Sequence, residues 1–349
     1  MTQDIGDARS GETHLPGLDL GVLTTFLRGI GVEVTGDLRA VLLQGGRSNL
    51  TYRVRDAGSH DWVVRRPPTA GLTPSAHDMA REWAVTSGLQ GSDVPVAGTV
   101  AFCEDVAVMG APFTVVEHLS GRVVQLSSEV DALSDVQVRA CSEELVRVLV
   151  ALHAVDQDAV GLGGFGRPAG YVGRQIATWK RQWGHVQTRE LPELDRLHAA
   201  LGSRRPERSG SAIVHGDYRI DNTILAADDP GRVLAVVDWE MATLGDPVSD
   251  LASMCVYKLP FFSSIYGNDT AAMNPRWPSS DAVAESYASA SGRDLGDWDF
   301  YLALACFKIA VIAEGILFRA QQGAQGGGDV SAIARVVPQF VDEGLRILG

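Results

Sequence analysis

Residues 211–250 constrain this chain more than any other stretch. They read SAIVHGDYRIDNTILAADDPGRVLAVVDWEMATLGDPVSD. Two short runs, Ala212–Val214 and Val233–Val237, read as strands by their β-branched content. The first leads into His215-Gly216-Asp217, with Asn222 five residues past the aspartate, and the second runs into Asp238. An Asp, an Asn and a second Asp, set just past short strands, concentrate oxygen ligands in one part of the chain. Mg²⁺ prefers such oxygens and is held by one or two carboxylates together with substrate phosphates.

A lone Asp after a strand is most often a turn former or a helix N-cap. Asp246 reads that way: Pro247 follows at a natural first helical position, and Asp250 puts negative charge in the first turn. Asp217, Asn222 and Asp238 together do not. The order H-G-D-x-x-x-x-N, a hairpin-length insert and a hydrophobic strand ending in Asp matches the catalytic and metal-binding loops of kinase-type phosphotransferases. A protein kinase shows H-R-D and D-F-G. Here the sequence shows His215-Gly216-Asp217 and Asp238-Trp239-Glu240, and this form resembles the aminoglycoside phosphotransferase and choline kinase-like family of small-molecule kinases. The following G-D-P-x-x-D, Gly245 to Asp250, is similar to that family too.

The resemblance implies an α+β, bilobal, protein-kinase-like fold. The N-lobe would be an antiparallel sheet plus a helix, and the C-lobe mostly helical. On the sequence this becomes a flexible tail over 1–17, a nucleotide-binding N-lobe over 18–119, and a C-lobe over 120–349 with the catalytic loop, metal site and acceptor helices. By the same resemblance Asp217 orients or accepts the proton of the attacking hydroxyl, and Asn222 and Asp238 hold Mg²⁺ on the ATP phosphates. Arg219 and Asp221, beside Asp217, read equally as substrate contacts or as loop structure.

In the N-lobe, Leu18–Ile30 has helical spacing, and Val41–Leu43 leads through Gln44-Gly45-Gly46-Arg47-Ser48-Asn49 into a strand over Leu50–Val54. Strand, glycine turn, strand is the form of a phosphate-covering hairpin, in which Gly45, Gly46, Ser48 and Asn49 approach phosphate oxygens. An ordinary β-turn is the plainer reading of that segment alone. The next strand, Trp62–Arg66, ends at Pro67-Pro68. In kinases this strand carries the phosphate-binding lysine. Here the only lysines are Lys180, Lys258 and Lys308, so Arg65 or Arg66 must serve, and the two point to opposite faces. Arg65 occupies the family position. The Val-Arg-Arg-Pro-Pro run makes the chain most similar to family members fused to acyl-CoA dehydrogenases. Thr73–Leu89 reads as a helix N-capped by Ser75, with Glu82 as the implied partner of Arg65. Phe113–Leu119 reads as a strand leaving the lobe, where the Glu117 carbonyl and Leu119 amide would meet adenine.

In the C-lobe, Leu133–His153 is amphipathic. Gly161 to Gly166 matches G-x-G-x-x-G, but it follows a helix and runs into Arg167-Pro168, so it reads as a connecting loop rather than a dinucleotide site. Trp179 and Trp183 form a core stripe on a helix over 170–186. Its Arg174, Lys180 and Arg181 read as a solvated face, with contact to an anionic acceptor as the alternative. Tyr301–Phe318 is the longest apolar stretch, yet Lys308 and Glu314 interrupt it, so a buried helix is expected rather than a membrane span. A net charge of −13 argues against a nucleic-acid partner. Four cysteines without a C-x-x-C pair, and no signal-like run at the start, make a cytoplasmic location the expectation.

The implied activity is transfer of the ATP γ-phosphoryl to a hydroxyl of a small molecule. A hydroxyacyl-CoA or hydroxy acid is favoured over an aminoglycoside, and the oligomeric state stays open. The alternative is a catalytically silent nucleotide- or metabolite-binding protein, which the Arg-for-Lys exchange motivates.

Overall fold

The computed structural model describes residues 15–43, 49–69, 78–207, 209–323 and 329–349. The chain divides into two compact units. The first runs to Arg122 and takes in Leu234–Glu240; the second comprises Val123–Val233 and Met241–Gly349. The segment 234–240, expected with the C-lobe, therefore belongs with the first unit.

The first unit is built on a five-stranded antiparallel sheet of order β1-β2-β3-β5-β4: β1 Arg39–Leu42, β2 Leu50–Arg55, β3 Asp61–Arg66, β4 Thr99–Cys103 and β5 Phe113–Glu117. Its register sets Tyr52 opposite Val64 and Val54 opposite Trp62, so alternate residues line one face. That face packs on Leu23 and Leu27 of the helix Leu20–Gly29, with Phe113 and Val115 beside them. Asp19 starts this helix by accepting from Val22 N. Arg66 falls on the core face with Trp62 and Val64, whereas Arg65 points to the other. The helix Met79–Gly88 is capped by Asp78, which accepts from Arg81 N, and it buries Met79, Glu82 and Val85. The expected cap Ser75 lies outside the described residues, as do 1–14 of the expected tail. Pro16 and Gly17, assigned to that tail, are held in place: Tyr52 donates to the Pro16 carbonyl and Arg66 to the Gly17 carbonyl.

The second unit is mostly helical. Its long helices are Asp135–Ala154, Tyr171–Val186, Pro192–Ser203, Ser280–Ser291, Trp298–Gln321 and Val330–Leu348. Ser134 and Gln137 close a capping box at the start of the first of these. The core centres on Trp298–Gln321, whose Ala303, Cys306, Phe307, Ala310 and Val311 are fully buried against Leu194, Leu197, Val337 and Phe340. Each such Leu or Phe contributes roughly 1.5–3 kcal/mol relative to an exposed one. Among the described residues this helix alone is long and apolar enough to cross a membrane, and 78% of its most apolar window is buried inside the protein. Glu314 tolerates burial there because it accepts from Thr188 N at 2.8 Å, Thr188 Oγ1 at 2.7 Å and Arg189 at 2.8 Å. A two-stranded antiparallel sheet pairs Ala212–Val214 with Thr243–Gly245, Ile213 opposite Leu244. The glycine-rich stretch 161–166 is a loop between the helices ending at Ala154 and starting at Tyr171.

Candidate functional site

In the second unit the fully buried strand Ala212–Val214 delivers His215-Gly216-Asp217 to a tight bend. Gly216 has φ +84°, and a Cβ there would meet the Met241 carbonyl oxygen at 2.7 Å, so only glycine makes this turn. Asp217 is then held from two sides. Its Oδ2 accepts from Asn222 Nδ2 at 2.9 Å, and the same amide reaches the Asp217 carbonyl at 2.8 Å. Its Oδ1 accepts from the Tyr257 hydroxyl. Arg219 Nε lies 3.4 Å from Oδ2. The structure therefore brings Asp217 and Asn222 together. Because Asp217 takes up the Asn222 amide nitrogen, Oδ1 is the atom of Asn222 that could meet a cation.

The bend is tied down from below by Asp250. Its two carboxylate oxygens accept from His215 N at 2.6 Å and Gly216 N at 2.8 Å, and His153 Nε2 lies 3.4 Å away. His153 Nδ1 in turn contacts the Tyr287 hydroxyl at 2.7 Å. Burial alone would push Asp250 up, but His153 and the backbone amides outweigh it and hold the carboxyl below its ordinary range. Burial pulls His153 down, so it sits there neutral. The sequence suggests a helix-dipole charge at Asp250; the bend uses it as an acceptor. Asp246 does serve near the helix start, accepting from Val248 N at 3.0 Å, and also from Gly210 N at 2.6 Å.

Arg219 is sandwiched over the rings of Tyr257, 5.2 Å from the centroid, and Tyr266, 4.8 Å. It pairs with Asp221 at 2.7 Å. Burial costs the guanidinium, but Asp217 and Asp221 more than compensate and keep it charged. Asp221 is pushed up to about 6 by burial against the opposing pull of Arg219. Of the two readings open for this pair, the contacts support loop structure.

In the first unit Arg65 donates to Glu82 and lies 3.3 Å from Asp238 Oδ1. Burial costs this guanidinium, but the fields of Glu82 and Asp238 outweigh that cost and raise it, so it stays charged. Arg66, the other candidate, is spent on the backbone carbonyls of Gly17 and Met109. Asp238 is the only described non-glycine residue with positive φ, at +68°, and its side chain is 37% exposed. Asn49 is buried at the head of β2. Glu117 ends β5 with its N–H bonded to the Gly98 carbonyl at 2.7 Å, and Leu119 follows two residues later. Gly45, Gly46 and Ser48 lie outside the described residues.

Among the described residues no three His, Cys, Asp or Glu side chains gather as a cage of their own. Mg²⁺ does not require one, since it keeps waters and phosphates among its ligands. Asn222 Oδ1 in the second unit and the Asp238 carboxylate in the first are each oxygens of the kind Mg²⁺ takes.

Beside Gly216 the second unit holds a recess lined by Tyr171, Gln175, Trp179, Ser253, Tyr301 and Lys308. Lys308 is buried and donates to the Gly216 carbonyl. Tyr257, Lys308 and Asp250 hold the bend that carries Asp217, and the sequence does not signal these contacts. A tyrosine at a helix end and a lysine in an apolar run carry no local signal; for Lys308 the oddity of a cation in Tyr301–Phe318 was the one available cue. Trp183 is core as expected, but Trp179 of the same stripe is half-buried at the recess. Arg174 caps the carbonyls of Arg167 and Ala169, Lys180 pairs with Asp195, and Arg181 meets Thr178, as expected of a solvated face.

The model of the phosphotransferase enzyme family matches residues 39–301. Human acyl-CoA dehydrogenase family member 11 is 31% identical over 329 residues, covering 93% of this chain and 42% of the relative. Mouse acyl-CoA dehydrogenase family member 10 is 32% identical over 338 residues, covering 93% of this chain and 31% of the relative. The chain thus spans less than half the length of these curated relatives. A Ralstonia eutropha JMP134 crystal structure, provisionally named an aminoglycoside phosphotransferase, aligns with TM-score 0.82 at 33% identity over 95% of this chain and 98% of that one. Aminoglycoside phosphotransferase APH(4)-Ia, solved with AMP-PNP and hygromycin B, aligns with TM-score 0.59 at 15% identity over 93% and 97% of the two chains, a likeness of fold. Both parts of the resemblance read from the sequence, to the kinase-like family and to the acyl-CoA dehydrogenase-linked members, are borne out, and the fold is the expected kinase-like α+β one. With its fold and the greater part of its length matched, the chain belongs to the phosphotransferase enzyme family.

Proposed function

We propose that this chain transfers the γ-phosphoryl group of ATP to a hydroxyl of a small molecule, with Mg²⁺ as cofactor. The observation that carries this reading is Asp217, fixed by Tyr257 and Asn222 on a bend that only glycine can make. Phosphoryl transfer asks the protein for positioning and charge neutralisation rather than covalent chemistry. The acceptor oxygen bonds to the γ-phosphorus as the bond to the β,γ-bridging oxygen breaks, ADP leaves, and the hydroxyl proton passes to the Asp217 carboxylate. Arg65 forks onto the nucleotide phosphates, and Gly45, Gly46, Ser48 and Asn49 would contact the same phosphates. The Glu117 carbonyl and Leu119 amide meet the base. Asn222 and Asp238 would hold Mg²⁺, which neutralises phosphate charge when bound.

The acceptor is a hydroxyacyl-CoA or a hydroxy acid rather than an aminoglycoside. Support comes from the acyl-CoA dehydrogenase names of the curated relatives. A reducing, cytoplasmic setting suits the four buried free thiols. Nothing in the fold or the relatives favours the silent alternative. The test is release of ADP or GDP by the purified chain with Mg-ATP or Mg-GTP against hydroxyacyl-CoA compounds, hydroxy acids, aminoglycosides, sugars and choline. Turnover is expected with the acyl class, and Asp217→Asn should lower it by about 10²–10⁴-fold while nucleotide affinity holds. Nucleotide binding without acceptor-dependent turnover would sink the enzyme reading.

A further inference from the structure

Behind the bend, hydrogen bonds run in a single direction from the end of the helix Ser280–Ser291 to Asp250. Ser291 Oγ accepts from Arg293 N at 3.2 Å, which leaves its own hydrogen for the Tyr287 hydroxyl oxygen. That hydroxyl lies 2.7 Å from His153 Nδ1, and His153 Nε2 makes a longer contact of 3.4 Å with Asp250 Oδ2. Tyr287, His153 and Asp250 are all buried. Asp250 fixes the direction. Burial pushes its carboxyl up, but His153, His215 and the Gly216 amide pull it further down, so it is ionised and only accepts. Facing an acceptor, Nε2 must carry the ring's proton. Burial is the largest influence on His153 and lowers it; Asp250 and Asp246 favour the charged ring, Arg293 opposes it, and the imidazole stays neutral. A neutral ring protonated at Nε2 has a bare Nδ1, which accepts. Tyr287 supplies the hydrogen. Burial, Asp250 and Asp246 raise its phenol against the pull of Arg293 and Ser291, so the hydroxyl stays protonated. Arg293 also donates to the His153 carbonyl at 2.8 Å, tying the turn after one helix to the end of another.

We propose that Tyr287 and His153, with Ser291 behind them, are positioning residues for Asp217: they lock the His153 proton on Nε2 and so hold Asp250 where it grips the bend. This rests on the phosphoryl-transfer reading above for the task of Asp217, and on the hydrogen bonds alone for the chain. Asp250 takes His215 N and Gly216 N, and the His215 ring passes the hold on, its Nδ1 accepting from Asp217 N at 3.2 Å. In the opposite tautomer a bare Nε2 would face the Asp250 carboxylate, two buried acceptors with no hydrogen between them. Links of one polarity also strengthen one another. The members stand on the helices Asp135–Ala154, Val248–Val256 and Ser280–Ser291, so the packing of these helices sets the bend.

Nitrogen NMR of the full chain carrying labelled histidine reads the tautomer, and backbone amide exchange reads the hold on the bend. In the wild type at neutral pH, His153 should show a protonated Nε2 and a bare Nδ1. Tyr287→Phe keeps the ring and removes the donor. It should speed exchange at His215 N and Gly216 N by about fivefold to tenfold. Exchange in the core helix Trp298–Gln321 should stay as in the wild type, and kcat should fall by a similar factor with nucleotide and acceptor KM unchanged. A tyrosine that only filled space would move exchange throughout the helical unit and spare kcat. Should Tyr287→Phe not fold, His153 carries the test. His153→Leu should lower kcat by about tenfold to a hundredfold, and His153→Gln, whose amide still donates to Asp250, should recover most of that loss. The opposite tautomer or a charged ring in the wild type would overturn the proposal. So would wild-type exchange at the bend in Tyr287→Phe, or equal kcat in His153→Leu and His153→Gln. If tautomer and exchange come out as expected but no acceptor is phosphorylated, the transferase reading fails and the chain stands. If transfer proceeds while Tyr287→Phe keeps wild-type exchange and kcat, the reverse holds.

Discussion

Tyr257 donates its hydroxyl hydrogen to Asp217 Oδ1, across forty residues of sequence and on the side of the carboxylate opposite Asn222. Two donors at two oxygens leave the carboxyl plane little freedom to rotate. Tyr257→Phe removes one donor and nothing else of size. A hydrogen bond to a charged group contributes roughly 1.5–3 kcal/mol, or about tenfold to a hundredfold in an equilibrium. Turnover should fall within that range, with KM for nucleotide unchanged. A variant with wild-type kcat would mean that Asp217 does not need the tyrosine to hold its orientation.

The Arg65–Glu82 pair sits in the first unit with side chains 17% and 8% exposed. Glu82→Gln leaves the guanidinium with Asp238 at 3.3 Å and the weaker field of Glu240. Removing one member of a buried ion pair costs about 3–5 kcal/mol, and the Asp238 contact keeps this case near the lower end. Urea unfolding should show a loss of about 3 kcal/mol. Arg65→Met should in addition weaken ADP binding, which Arg66→Met should not, because Arg66 serves the backbone at Gly17 and Met109.

His153 is buried and held neutral, its proton affinity below that of a free imidazole. The unfolded chain takes up a proton near pH 6.5, where the native state refuses it. Stability from this residue is therefore complete above about pH 6.5 and is lost as the pH falls below it, by at most about 1.4 kcal/mol per pH unit. Asp221, pushed up to about 6, works in the opposite direction over pH 6 to 4. The readout is accordingly the difference between proteins: between pH 7.5 and 5.5 the unfolding free energy of His153→Gln should fall less than that of the wild type. Equal slopes would place the acid sensitivity elsewhere.

The bend that carries Asp217 was legible because its residues are close in sequence. Val214 to Asn222 carry strand, glycine, aspartate and asparagine within nine positions, and each type has a narrow chemical use. Strand alternation made it legible that Arg65 and Arg66 face opposite ways, since two neighbours on a strand cannot share a face, but the choice of Arg65 came from the family resemblance. What stayed hidden came from far away. Asp250 reaches His215 N from 35 residues on, Tyr257 reaches Asp217 from 40, and Lys308 reaches Gly216 from 92. No periodicity announces such partners, because tertiary packing alone puts them there. The helix start at Asp78 and the fixing of Pro16 and Gly17 by Tyr52 and Arg66 were hidden for the same reason.

Asp238 sits in left-handed backbone, where a side chain costs about 1 kcal/mol and glycine costs nothing. That conformation sets stability against chemistry at a single codon. A library selected only for surviving heat should accumulate Asp238→Gly to the extent that this relief exceeds the lost 3.3 Å contact with Arg65, which Glu82 still partners. A library selected for turnover should keep the aspartate and put up with the lower melting point. Sequencing the two populations would read that trade-off directly.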